Sequence, residues 1–137
     1  KEDNNMARTL YKSNLSPHTI EHPTEIKGGK VKWYGDGEMY VVMGTEDRTN
    51  FLSLNKDASL TLTKATSTQK TALLNDVLVK ERMDIEKVRA IRDKYSVDQE
   101  LKMARTPDSE TSKAMATDIA ALVKEVDDWW DAEFNIS

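Results

Sequence analysis

The chain has no cysteine. Disulfides, thiolate metal sites and a cysteine nucleophile are therefore excluded, while the compartment stays open. It has two histidines, so a site built on imidazole has only His18 and His22 to draw on. No run of about eighteen apolar residues occurs, so no segment reads as a membrane-spanning helix. The opening Lys-Glu-Asp-Asn-Asn is too polar for a secretory signal. Met6-Ala7-Arg8 has the form of a natural start, which leaves residues 1–5 as a remnant of processing or of an added segment.

What is present is polar for a chain of 137 residues, at 38% hydrophobic and 32% charged. This length permits one domain with a sizeable core. The polar balance suits an elongated, helix-rich or oligomeric form better than a compact sphere. Charge is uneven along the chain. Residues 1–65 carry nine basic and nine acidic groups, residues 66–105 nine and seven, and residues 106–137 two and eight. If the last two helical stretches pack antiparallel, opposite charges fall side by side. The acidic last stretch repels phosphate, so nucleic acid is disfavoured as its partner.

The strongest periodic signal is residues 106–134. Met115, Ile119, Leu122, Val126 and Trp129 recur at alternating steps of four and three, one apolar seam along a helix. Thr106-Pro107-Asp108 provides a capping oxygen, a proline at the first helical position and a carboxylate at the positive end of the dipole. A helix of roughly 27 residues would be about 40 Å long. It cannot bury its seam alone.

The sequence predicts an α+β fold: an N-terminal extended arm, a four-stranded antiparallel β-meander and a C-terminal helical half. Residues 1–29 read as the arm, because prolines and Gly28-Gly29 interrupt any period. Leu10, Tyr11, Leu15 and Ile20 are its docking residues. Residues 30–137 read as a single α+β domain, with the meander at 30–64 and helices at 66–134. The expected strands are Lys30–Tyr34, Met39–Met43, Asn50–Leu54 and Leu60–Thr63, separated by turns at 35–37, 44–47 and 55–57. In the last strand the leucines point inward and the threonines outward. The helical half reads as two long helices joined by a short one. Leu74, Leu78, Ile85, Val88 and Tyr95 form the seam of the first, interrupted by Glu81. Thr66 with Gln69, and Ser96 with Gln99, are capping-box pairs.

Several motifs point to chemistry. His18-Thr19-Ile20-Glu21-His22 matches H-x-x-E-H, in which two imidazoles one helical turn apart bind zinc and the glutamate activates its water. Pro17 and Pro23 confine it to a single turn, so surface histidines are the expected reading. Gly28-Gly29-Lys30 reads as a hinge rather than a phosphate loop, and Gly35-Asp36-Gly37-Glu38 as a hairpin tip rather than a calcium loop. Trp33, Tyr34 and Tyr40, near Lys30 and Lys32, offer a stacking surface for sugar or single-stranded nucleic acid. Trp129 continues the helical seam, whereas Trp130 is expected to be partly exposed beside Asp127, Asp128 and Asp131, with Phe134 extending the patch.

These features predict a non-enzymatic structural or assembly protein, with no cofactor and no metal. It would act as a homo-oligomer or within a larger protein assembly such as a virus or phage particle, and without a membrane. Its contact residues are Met115, Ile119, Leu122, Val126, Trp129, Trp130, Phe134, Leu10 and Tyr11. The alternative is a ligand- or nucleic-acid-binding regulatory module using the aromatic sheet face. A small zinc hydrolase using His18 and His22 is the third.

Overall fold

The computed structural model describes residues 8–35, 37 and 39–136. The start at Met6 and the Asp36 and Glu38 carboxylates fall outside these residues. Among the described residues the fold is α+β: a four-stranded antiparallel sheet and five α-helices, four of which follow the last strand. The chain divides into two compact units. One holds the residues up to Val79 together with those from Asp131 on, and the other is Lys80–Trp130.

The first unit contains the sheet. Its strands are β1 (Arg8–Ser13), β2 (Lys32–Tyr34), β3 (Tyr40–Gly44) and β4 (Leu62–Lys64), in the order β2-β3-β1-β4. The sheet differs from a meander in two respects. Residues 8–13, expected in the arm, form a central strand: Leu10 pairs with Val42, and Tyr11 with both Val41 and Lys64. Thr9, Leu10 and Tyr11 are all buried, so both faces of this strand are covered. Residues 50–54, expected as a strand, lie in helix α1 (Thr45–Leu54). Gly44 in an extended conformation, followed by Glu46 and Asp47 in the first turn, starts that helix. It carries the chain from β3 across β1 to β4.

Tyr11, Val41, Met43, Phe51, Leu60 and Leu62 form the main core cluster, with Leu15, Ile20 and Trp33 packed against it. Leu60 and Leu62 are buried while Thr61 and Thr63 are exposed, as the alternation predicts. The irregular stretch between β1 and β2 is held to this core by two buried polar side chains. Asp47 accepts from the backbone N–H groups of Lys27 and Gly28 at 2.7 and 2.8 Å. Asn55 accepts from Glu21 N–H at 2.6 Å and donates to the carbonyls of Glu21 and Phe51. Gly35 has φ +95°, and a Cβ there would lie 3.3 Å from both Leu73 and Tyr40, so this turn requires glycine.

The chain end completes the same unit. Asn135 carbonyl accepts from Leu10 N–H at 2.6 Å, and Glu133 takes Arg8 Nη1 at 2.9 Å and the Tyr34 hydroxyl at 2.8 Å. The Phe134 ring meets Tyr34 edge-on at 4.9 Å.

The helices after the sheet are α2 (Ser67–Leu74), α3 (Val77–Arg92), α4 (Val97–Arg105) and α5 (Glu110–Glu133). Both capping boxes are formed, Thr66 with Gln69 and Ser96 with Gln99. The first expected long helix is split at Asn75-Asp76, because Asp76 turns its carboxylate onto the N–H groups of Leu78 and Val79 and so caps a new helix. Helix α5 starts later than Thr106: Ser109 Oγ accepts from Ser112 N–H, while Thr106 closes α4 by donating to Lys102 carbonyl. Among the described residues no helix is long and apolar enough to cross a membrane.

Candidate interaction surface

Within Lys80–Trp130, α3 and α5 run antiparallel. Glu86 accepts from Trp130 Nε1 at 2.6 Å, Lys87 pairs with Asp127 at 2.8 Å, and Lys94 pairs with Asp118 at 2.7 Å. The basic and acidic stretches thus meet as charge complements. Asp118 also accepts from the Tyr95 hydroxyl at 2.6 Å. The bonds from Lys94 and then Tyr95 hold the Asp118 carboxyl below the usual carboxylate range. In return the bond to Asp118 pushes the Lys94 ammonium and the Tyr95 phenol up. At the same end of this hairpin Arg92 pairs with Glu100 at 2.8 Å, joining α3 to α4. That bond lowers the Glu100 carboxyl.

These contacts decide which side of α3 is turned inward. Met83, Glu86, Lys87 and Ala90 are partly buried, whereas Ile85 is 58% and Val88 55% exposed. Ile85 and Val88 of the expected seam therefore face solvent, among charged neighbours, while Met83, Ala90 and half-buried Ile91, with Glu86 and Lys87, make up the inward side. Leu78, in the sheet unit, is exposed as well. Val97 and Leu101 on α4 are also exposed.

The predicted contact residues separate into three groups. Leu10, Tyr11 and Phe134 are buried in the sheet unit, where they close the chain's own core. Met115 is buried and Ile119, Leu122 and Val126 are partly buried on α5. The two tryptophans exchange roles: Trp130 is 2% exposed and Trp129 47%. A straight helix at 3.6 residues per turn drifts off a strict seam of threes and fours. After Val126 the buried side is thus reached by a step of four, at Trp130. The indoles meet edge-on at 5.2 Å.

The aromatic sheet face also divides. Trp33 pairs with Val41, and Tyr34 with Tyr40, so Trp33 points to the opposite face from the two tyrosines. Tyr34 is buried, and Lys12 Nζ stands 5.0 Å from the Tyr40 ring centroid. Trp33 instead lines an open groove of about 740 Å³ with His22, Ile26, Lys30 and Lys32. His18 lies in a single 3-10 turn, Pro17–Thr19. The His22 ring packs on Phe51 at 5.4 Å, with its Nε2 2.8 Å from Pro17 carbonyl. The two histidines do not share an α-helical face, and among the described residues no three His, Asp or Glu are grouped to hold a metal.

No family model, curated protein or solved structure matches this chain.

The exposed face of α3 is the feature sequence reasoning left unplaced. Ile85 and Val88 were legible as part of a helical seam, but their spacing does not say which surface covers them. The signal that marks them as outward is Glu81, a charge in the middle of the seam.

Proposed function

We propose that this chain is a non-enzymatic structural or assembly protein that works by docking on another polypeptide, as a subunit of an oligomer or of a larger particle such as a virion. One observation carries the reading: Ile85 and Val88, on the seam side of α3, are both more than half exposed. Single exposed apolar residues are ordinary on any surface. A helical seam turned away from its own hairpin is what a partner would cover. The test is the mass of the native species for wild type and for the double variant Ile85→Asp, Val88→Asp. The reading expects an assembly that the double variant loses while keeping its helical content. Equal assembly by both proteins would refute it.

The groove at Trp33 favours a second reading, a ligand-binding module. An indole beside Lys30 suits a ligand with a flat ring or sugar and a negative charge. Tryptophan fluorescence quenched by an oligonucleotide or acidic sugar in wild type, but not in Trp33→Ala, would favour it. Identical responses from the two proteins would remove it.

A further inference from the structure

We propose that the occupant of the outward face of α3 is a second copy of this chain, lying antiparallel to the first. This rests on the docking reading above and adds the partner's identity and direction. Glu81, Ile85, Val88 and Arg89 all belong to the helical unit, and all are exposed. At steps of four, Glu81, Ile85 and Arg89 form one ridge on the helix surface, with Val88 beside it. The ridge has an acid one turn before its apolar centre and a base one turn after it. Among the described residues, neither Glu81 nor Arg89 makes an ion pair within the chain, whereas Arg92, one turn further on, is held by Glu100.

Two such ridges laid parallel would set Glu81 beside Glu81 and Arg89 beside Arg89, with like charges on both sides of the apolar centre. Laid antiparallel about Ile85, they bring each Glu81 beside Arg89 of the other copy. The two-fold axis makes that contact twice. Ile85 and Val88 of the two copies then cover each other. An unrelated helix would need the reverse order of charges around an apolar centre at the same spacing; a second copy supplies it by symmetry. Glu81, an interruption in the sequence pattern, acts as the marker of direction and register.

Sedimentation equilibrium of the full chain over a range of concentration tests this. Wild type is expected to self-associate, less strongly as salt is added. Glu81→Arg and Arg89→Glu each create like-charge contacts on both sides of the axis and are expected to weaken association roughly tenfold. The combined variant restores opposite charges in reversed order and is expected to return to within about twofold of wild type. Both positions of change are on the exposed side of a helix, so far-UV circular dichroism should be unchanged. A wild type that stays monomeric at every concentration overturns the proposal, as does a combined variant as weak as the single ones. An assembly lost in Ile85→Asp but indifferent to the charge exchanges overturns antiparallel self-pairing and leaves docking standing. An assembly indifferent to Ile85→Asp overturns docking itself.

Discussion

Two buried polar side chains tie the irregular stretch of the sheet unit to its core. Asp47 and Asn55 are 0% and 4% exposed, and each bonds backbone groups of the stretch between β1 and β2. Without them those N–H groups would lie against the core without partners, a cost that removal of one side chain exposes directly. Asp47→Ala is expected to destabilise the unit by about 2–3 kcal/mol in denaturant unfolding. Trp130→Ala removes a buried indole and its bond to Glu86, and should cost about 3–5 kcal/mol. Trp129→Ala should cost under about 1 kcal/mol. Acrylamide quenching should accordingly fall mostly on Trp129 in the Trp33→Phe background. Neither polar anchor was legible in the sequence, because a buried Asp or Asn looks like a turn residue until its long-range partners are known. The capping pairs Thr66–Gln69 and Ser96–Gln99 were legible, since their partners lie three residues apart.

Elements follow the same division between local and distant causes. The break at residues 95–96 and the existence of α5 were legible from caps and period. The identity of α1 was not: Phe51, Leu52 and Leu54 satisfy a strand pattern as well as a helical one, and the acidic first turn at Glu46-Asp47 decides between them. Ser109 rather than Thr106 starts α5, so Ser109→Ala should lower helical stability by about 1 kcal/mol. The α3–α5 hairpin also carries a pH dependence. The Asp118 carboxyl is depressed in the fold, so its stabilisation is complete at neutral pH. It fades as pH falls through the ordinary carboxylate range and below it. Helical content should decline with acid over that window in wild type, and less steeply in Asp118→Asn, which starts from a weaker hairpin. A flat acid response in wild type would mean that Asp118 does not tie the two helices.

At the scale of the whole molecule the sequence yields the α+β class and the charge contrast of the two hairpin helices, because both are sums over many residues. The strand order depends instead on one short segment. Residues 8–13 carry too little alternation to reveal a central strand, and become one because α1 leads the chain past them and the chain end bonds to Leu10. Once α5 is paired through Glu86, Lys87 and Lys94, the side of α3 bearing Ile85 and Val88 is left outward, and docking is the use proposed for it. Because the chain lacks cysteine, a single spin label can be placed beside the apolar centre, leaving it intact, through Asp84→Cys at an exposed position. Packed helix axes lie about 8–10 Å apart, so antiparallel copies meeting at the neighbouring Ile85 should give label separations centred below about 25 Å, removed by dilution with unlabelled chain. The absence of any such short separation in concentrated samples, with the fold intact, would contradict the account.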